Sequence, residues 1–166
     1  IESFQEANAP MSIVMAMDAS GSMRPSLEAV KAAATTFVEA LRPTDPLALV
    51  QFSDRVVVAH ELTTRRQLTL DGIASHQAQG GTALWDALYD SMAFLRQQAG
   101  RRAVVVLSDG RDENNPGTAP GSAHTLEDVL KQVRETGTTV YSIALGARVD
   151  REGMMKVAAA SGGAAY

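Results

Sequence analysis

The sequence predicts an α/β fold, in which a mostly parallel central sheet carries helices on both faces and one antiparallel strand at an edge. Residues 11–17 and 102–108 are apolar runs without the alternation of a half-exposed strand, which indicates strands buried on both faces. Helical stripes of apolar residues separate such runs, as in successive βαβ units. Two more strand-like runs, residues 47–53 and 55–62, are separated only by Asp54, and so short a link allows only an antiparallel hairpin.

Composition limits the class of protein. The chain has 166 residues, 45% of them hydrophobic and 20% charged, which is typical of one compact domain with a sizeable core. No apolar run approaches the roughly 20 residues that a membrane-spanning helix needs. The net charge of −4 argues against a nucleic-acid-binding protein. The chain has no Cys, which excludes disulfides, thiolate metal sites and Cys nucleophiles.

The first part of the chain is predicted to hold an arm, a strand and a helix. Residues 1–10 show no clear period, and we expect them to form an N-terminal arm leading into one domain over residues 11–166. The first strand covers residues 11–17. After an oxygen-rich turn, apolar residues recur at helical spacing: Leu27, Val30, Ala34, Phe37, Val38 and Leu41. Pro43 and Pro46 end this helix.

Beyond the hairpin, helices and strands alternate. Residues 65–75 are predicted to form a short helix, and a second helical stripe consists of Leu84, Leu88, Met92 and Leu95. The strand over residues 102–108 runs into a polar loop over residues 109–124, and loops of that length in compact domains are often functional. A capping box at Thr125 begins a helix that continues to about Glu135.

The last part of the chain adds a strand, a helix and one more strand. The strand covers residues 138–145, Asp150 caps a helix through Ala160, and residues 162–166 begin another strand. Such a fold usually ends on a helix, so we expect the C-terminal helix to be missing from this sequence. The chain begins with Ile1, and we expect it to be part of a longer protein.

Three polar clusters follow strands or begin a helix on the same side of the predicted sheet. They consist of Asp18, Ser20 and Ser22 after the first strand, Thr82 in a Gly-Gly-Thr turn, and Asp109 after the strand over residues 102–108. Ligands of open parallel sheets bind beyond the carboxyl ends of the strands, where the strand order reverses. We expect the first and fourth strands to be central neighbours, so that these clusters meet there.

Oxygen ligands without His or Cys indicate a hard cation, Mg²⁺ or Mn²⁺ before Zn²⁺, with Ca²⁺ as a further candidate. Only two of the candidate side chains, Asp18 and Asp109, are carboxylates. A cation that is so weakly neutralised attracts one more anionic oxygen. This chemistry suits a binding site for an Asp or Glu carboxylate of a partner protein.

The Asp-x-Ser-x-Ser sequence after the first strand, the Gly-Gly-Thr turn and the later Ser-Asp-Gly together resemble the von Willebrand factor type A (vWA) domain with its metal-ion-dependent adhesion site (MIDAS). The resemblance covers about residues 12–166, and "GGTALWDAL" and "RRAVVVLSDG" are similar to bacterial members. It implies a Rossmann-like three-layer fold and a non-enzymatic module for cation-dependent protein binding, in adhesion or assembly.

The resemblance also implies a role for each candidate ligand. Ser20 and Ser22 would bind the metal through their hydroxyls. Thr82 would be a direct ligand in the partner-bound form. Asp18 and Asp109 would act largely through bound water and by orienting the hydroxyls.

Each of these residues also has a structural interpretation. Asp18 and the serines can cap backbone N–H groups in a strand-to-helix turn, and Thr82 can be a helix N-cap. Trp85 is expected in the core rather than at a rim beside the metal. The acidic loop over residues 111–115 lacks the ligand spacing of a calcium loop and is expected to be mobile. Three histidines are expected at the surface or at an edge: His60, His76 and His124.

Two other functions compete with the binding module. An Asp after a first strand can be a nucleophile, as in haloacid-dehalogenase-like enzymes, which place Asp-x-Asp there and would make this a Mg²⁺-dependent phosphoryl-transfer or hydrolase domain. Here Ser20 stands at the second carboxylate position, and no catalytic Lys is evident near the later motif. A scaffold with a vestigial or purely structural site is the third interpretation. An extracytoplasmic location is slightly favoured.

Overall fold

The computed structural model describes residues 9–145 and 149–166. Nearly all of the expected N-terminal arm therefore lies outside the described residues. The strands are β1 Met11–Asp18, β2 Leu47–Phe52, β3 Val56–Thr63, β4 Arg101–Ser108, β5 Thr139–Ala144 and β6 Ala164–Ala165. The helices are α1 Leu27–Ala40, α2 Arg66–Ala74, α3 Leu84–Leu95, α4 Leu126–Thr136 and α5 Arg151–Ser161, and a 3-10 helix, Gly21–Ser26, precedes α1.

The strands form one six-stranded sheet in the order β3-β2-β1-β4-β5-β6. Only the pairing of β2 with β3 is antiparallel, and it places β3 at an edge, as the short link at Asp54 predicts. The predicted α/β class with a mostly parallel sheet is confirmed. The predicted pairing of the first and fourth strands is also confirmed, because Met17 of β1 is in register with Leu107 of β4.

Helices cover both faces of this sheet and produce two separate cores. On one face, Val14 and Ala16 of β1 pack in a cluster with residues of α3, α4 and α5. On the other face, Ile13, Met15 and Met17 pack in a cluster with residues of α1 and α2. Both sides of β1 are therefore buried, which explains why its sequence is a continuous apolar run and not an alternating one.

Capping residues mark the beginnings of α4 and α5, as the sequence predicts. The Thr125 side chain accepts a hydrogen bond from the Asp128 N–H, and the Asp128 carboxylate accepts one from the Thr125 N–H, so the predicted capping box at the start of α4 is confirmed. Asp150 caps α5 by accepting from the Gly153 N–H at 3.0 Å. None of the described helices combines the length and the apolar character that a bilayer span requires.

The strand order reverses between β1 and β4. The crossover from β1 to β2 passes through α1 on one face, and the crossover from β4 to β5 passes through α4 on the other. The chain therefore leaves the carboxyl ends of these two neighbouring strands in opposite directions. A crevice forms at such a point, and it is where open α/β sheets bind ligands.

Candidate metal centre

The carboxylate of Asp18, the last residue of β1, is fixed from both sides and is fully buried. Its Oδ1 accepts a hydrogen bond from the Ser20 N–H at 2.8 Å, and its Oδ2 accepts one from the Ser108 hydroxyl at 2.5 Å. The second bond joins the carboxyl ends of β1 and β4. Asp18 thus caps its own turn, as the structural interpretation expects, and it also links the two central strands.

The hydroxyls of Ser20 and Ser22 point at each other across the turn after β1. Their oxygens lie 2.9 Å apart, and the Ser22 hydroxyl donates to Asp109 Oδ1 at 2.8 Å. Ser20 precedes the 3-10 helix but its side chain makes no capping hydrogen bond. Its hydroxyl is therefore not used as a backbone cap. Residues that are 87 positions apart in sequence, Ser22 and Asp109, meet directly.

Thr82 lies close to these three side chains. It is the last residue of the segment over residues 76–82, which leads towards α3 and which we call the strap. A Cβ atom added to Gly110 would lie 3.4 Å from Thr82 Oγ1 and 3.7 Å from Ser22 Oγ. The absence of a side chain at Gly110 therefore leaves the space between these two hydroxyls open. The structural interpretation expects Thr82 to be the N-cap of α3, but the helix begins at Leu84 and its N-cap is Ala83. We call Asp18, Ser20, Ser22, Thr82 and Asp109 the oxygen cluster.

Backbone contacts attach the strap over residues 76–82 to the turn after β1. Gln79 N donates to Ala19 O at 2.7 Å, and Gly21 N donates to Gly80 O at 3.0 Å. These bonds run in opposite directions between the two segments, so they hold the strap in register with the turn. They explain how Thr82, which no strand carries, reaches the carboxyl ends of β1 and β4.

His76 anchors the same strap, and the prediction that it lies at the surface is wrong. Its side chain is buried, and its Nε2 lies 2.9 Å from the carbonyl oxygen of Asp18. A carbonyl can only accept, so Nε2 carries the proton. Burial lowers the pKa of His76 below its ordinary 6.5, although the bond to Asp18 opposes this shift. His60 and His124 are partly exposed, as predicted.

Asp54, the residue that links the two strands of the hairpin, also holds the Gly-Gly-Thr turn in place. Its Oδ1 accepts from the Gly81 N–H at 2.8 Å, which fixes the Gly-Gly-Thr turn to the β2–β3 link. Gly80 has φ +80°, and a Cβ on it would lie 2.2 Å from Asp54 Oδ2. Only glycine fits this position, because an L side chain there would be strained and would collide with the carboxylate. The Gly80-Gly81 pair in the sequence indicates an unusual turn at this place. Nothing in the sequence indicates that Asp54 is the residue that binds it.

Hydrogen bonds connect distant parts of the polar loop after β4, and the expected mobility of residues 111–115 stays a prediction. Asp112 accepts from the backbone N–H groups of Gly121 and Ser122, each at 3.1 Å, and its other oxygen accepts from the Ser122 hydroxyl. Asn114 Oδ1 accepts from three successive N–H groups of residues 117–119. The side chains of Asp112 and Asn114 thus fold the loop on itself.

A second set of contacts attaches this loop to α3. The Asp86 carboxylate accepts from the N–H groups of Ala123 and His124, and it lies 2.7 Å from His124 Nδ1. The His124 ring stacks on Tyr89 with ring centroids 3.8 Å apart. Trp85 is only 7% exposed and belongs to the core cluster, so the core interpretation of this residue is confirmed and the rim interpretation is wrong.

Burial dominates the electrostatics of Asp18. It raises the pKa of this carboxyl above the ordinary 3.8, hydrogen bonds from Ser108 and Ser20 oppose the shift, and the nearby Asp109 carboxylate adds to it. A divalent cation beside the two carboxylates would favour their charged forms.

The donors of the oxygen cluster fit a hard cation. Within residues 9–145 and 149–166, no three His, Cys, Asp or Glu side chains come together in a way that could hold a metal ion. A cation at this edge would therefore depend on hydroxyl oxygens as well as on the two carboxylates. Gly110 leaves room between Thr82 and Ser22, and neutral hydroxyls with two acids suit Mg²⁺ or Mn²⁺ better than softer metals.

Comparisons with known proteins agree with this fold. The family model described as "von Willebrand factor type A domain" matches residues 12–166. No curated protein matches the chain. Among solved structures, a von Willebrand factor type A protein from Catenulispora acidiphila is similar with a TM-score of 0.77 and 21% identity. That match covers 95% of this chain and 38% of the other, so the chain spans well under half of that relative.

Two more solved structures are similar at low identity. The hypothetical protein BatB from Bacteroides thetaiotaomicron has a TM-score of 0.74 and 16% identity, over 95% of this chain and 89% of that one. Proximal thread matrix protein 1 from the mussel byssus, described with a zinc-occupied MIDAS motif, has a TM-score of 0.71 and 19% identity, over 90% of this chain and 39% of that one. At such identities the likeness establishes the fold.

Proposed function

Because the chain belongs to the von Willebrand factor type A domain family, we propose that it is a non-enzymatic protein-binding module whose oxygen cluster is a MIDAS. In this proposal a divalent cation on the cluster captures an Asp or Glu carboxylate of a partner protein. Mg²⁺ or Mn²⁺ is the expected ion, with Ca²⁺ as a further candidate. The zinc-occupied MIDAS described for the byssus relative supports a divalent ion at such a motif.

The observation that carries the proposal is the chain of oxygens from Ser20 through Ser22 to Asp109. The two links measure 2.9 Å and 2.8 Å, and neither serine is used to cap a helix. Such hydroxyls can turn their lone pairs to a cation, while Asp109 accepts the proton of Ser22. Both oxygens of Asp18 already accept hydrogen bonds, which suits an indirect role through water and through orientation.

The charge of the cluster supports capture of an acid. If Asp18 and Asp109 act largely through bound water, the direct protein ligands of a divalent ion are neutral hydroxyls, and waters would complete its shell. A partner's carboxylate can replace one of those waters and form a short, charge-assisted contact. The arrangement gives less support to phosphoryl transfer. Asp18 would have to be the nucleophile, yet it is fully buried and hydrogen-bonded at both oxygens.

The larger setting of the module is also a proposal. We expect it to be part of a longer adhesion or assembly protein, slightly favouring an extracytoplasmic location, and the similarity to a byssus thread matrix protein supports this. The partner is expected to be a protein and not a nucleic acid.

Titration calorimetry with Mg²⁺ and Mn²⁺ tests the metal site. Asp18→Ala, and Ser20→Ala combined with Ser22→Ala, should abolish binding while circular dichroism shows an intact fold. Ser26→Ala is the matched control, because this neighbouring serine makes no capping hydrogen bond with its side chain. Equal affinities in wild type and in the cluster variants would reject the site.

Partner capture is tested with a one-acid peptide, an acetylated and amidated glycine pentapeptide with a single central Asp. Chemical-shift changes in NMR titrations should appear with Mg²⁺ and disappear with excess EDTA. The same peptide with Asn in place of Asp is the control and should not bind. Metal binding without any acid-dependent peptide binding would leave a structural metal site and reject the capture function.

A further inference from the structure

A polar pocket of about 280 Å³ opens beside the oxygen cluster. Ala19, which lies between Asp18 and Ser20, forms one wall, and Ser53 and Arg55 of the β2–β3 link form another. Ala19 N donates to Phe52 O at 2.7 Å, so the wall is continuous with the end of β2. Gln79 closes the third side through its bond to Ala19 O. The pocket and the cluster thus share the turn after β1.

The lining of this pocket, which we call the side pocket, is mainly polar. Three glutamines are among its lining residues: Gln51, Gln77 and Gln79. Arg55 is its one charged residue. The Gln51 amide is partly engaged, because its nitrogen donates to Gly72 O at 3.2 Å. The side pocket can therefore supply several hydrogen bonds together with one positive charge.

Arg55 makes no ion pair within the part of the chain that the structure describes, and it is exposed. The carboxylate next to it in sequence, Asp54, is directed to the Gly81 N–H. A guanidinium offers a planar fork of donors that matches a carboxylate. The chain as a whole has a net charge of −4. A positive charge beside the proposed acid-binding site therefore favours a partner that carries a further negative charge there.

We propose that the partner carries a second acidic side chain, which enters the side pocket and pairs with Arg55 while the first carboxylate binds the metal. This inference rests on the proposed function and names the chemistry of its partner as an acidic segment. In an extended segment, side chains at positions i and i+2 lie on one face roughly 7 Å apart. Two acids with one residue between them would therefore present both carboxylates on one face of the segment.

NMR titration of the Mg²⁺-saturated protein tests the inference with two-acid peptides. The probes are capped glycine heptapeptides with Asp at the centre and a second Asp one, two or three positions away, alongside a heptapeptide with the central Asp only. At least one spacing should bind about fivefold more tightly than the one-acid peptide. Replacing the second Asp with Asn should remove the gain, which distinguishes a charge requirement from amide binding by the glutamines.

Variants of the pocket assign the effect to Arg55. Arg55→Gln should abolish the fivefold gain but leave the affinities for Mg²⁺ and for the one-acid peptide unchanged, and Arg55→Lys should restore part of it. Arg111→Gln is the matched control, because Arg111 is also exposed and lies two residues after Asp109, outside the side pocket. An equal loss in Arg111→Gln would indicate a diffuse charge effect and would overturn the assignment to the pocket.

The outcomes separate this inference from the function on which it rests. If the one-acid peptide binds but no second acid adds affinity, or if the gain survives in Arg55→Gln, only the side-pocket inference fails. If Mg²⁺ binds and no acidic peptide does, capture of a partner carboxylate fails, and the side-pocket inference fails with it.

Discussion

The backbones of Thr82 and Glu113 exchange two hydrogen bonds, 2.8 Å from Thr82 N to Glu113 O and 3.2 Å from Glu113 N to Thr82 O. This isolated bridge joins the strap before α3 to the polar loop after β4. The strap is also bonded to the turn after β1 through Gln79 and Gly21. All three segments of the oxygen cluster are therefore held together by main-chain contacts, whatever ion they bind.

Thr82 allows metal binding to be separated from partner binding. Thr82→Ala removes the hydroxyl and should weaken binding of the one-acid peptide about tenfold or more, because the proposed MIDAS would use this hydroxyl as a ligand in the partner-bound form. Thr82→Ser keeps the hydroxyl and should retain most of the affinity. Calorimetry for Mg²⁺ and NMR titration for the peptide, run on both variants, check the expectation. Equal peptide affinities in the two variants would count against a role for the hydroxyl.

Gly110→Ala should weaken metal binding without unfolding the domain. The new methyl would lie at ordinary contact distance from Thr82 Oγ1 and Ser22 Oγ, 3.4 Å and 3.7 Å away, and would occupy the space that a shared ion needs. Gly110 is buried, but the added methyl would make no contact shorter than 3.4 Å and the backbone there does not require glycine, so the free energy of unfolding should change by less than about 1 kcal/mol. Calorimetry gives the affinity and chemical denaturation gives the stability. Unchanged Mg²⁺ affinity would place the ion elsewhere.

Asp112→Ala should loosen the loop that carries Glu113. The Asp112 carboxylate accepts from the N–H groups of Gly121 and Ser122, and its loss leaves these donors without it. We expect a loss of about 1–3 kcal/mol in unfolding free energy and weaker peptide binding, since Thr82 is bonded to this loop. Glu127→Ala, an exposed acid in the first turn of α4, is the control. Hydrogen exchange at Thr82 that matches wild type would contradict the coupling.

The ionisation of Asp18 should make the stability of the metal-free protein depend on pH. Burial raises its folded-state pKa above the ordinary 3.8, so the folded state binds the proton more tightly than the unfolded state does. This group's contribution to stability is therefore largest at pH below 3.8 and is lost as pH rises through the raised pKa. Asp18→Asn removes the ionisation and should be more stable than wild type at pH 7 in EDTA, with an advantage that shrinks in acid.

Thermal melts in EDTA across this pH range measure the difference, and each kcal/mol recovered corresponds to about 2–4 °C in Tm. Mg²⁺ should raise the Tm of wild type and not that of Asp18→Asn, because only the native state with an intact cluster binds the ion. A melting temperature of the variant that equals or falls below wild type at pH 7 would show that the hydrogen bonds to Asp18 outweigh its burial.

Much of the architecture could be predicted because it depends on patterns within short stretches of sequence. The continuous apolar runs at β1 and β4 identify strands covered on both faces, and the lone Asp54 between two runs identifies the hairpin. Thr125 and Asp128 mark the start of α4 by a capping interaction that needs only four residues. Of the candidate ligands, Asp18 ends β1 and Ser20 and Ser22 lie within the next four residues, so their closeness needs no tertiary information.

Only the tertiary structure decided which distant groups meet around that turn. No spacing in the sequence shows that His76 is buried, yet its Nε2 lies 2.9 Å from the carbonyl oxygen of Asp18. The β2–β3 link lies against the end of β1. Asp54 therefore accepts a hydrogen bond from the Gly81 N–H, and Arg55 lines the side pocket together with Ala19. Sequence periodicity reports which face of an element is buried, but contacts between loops depend on how whole elements pack, and no short pattern encodes them.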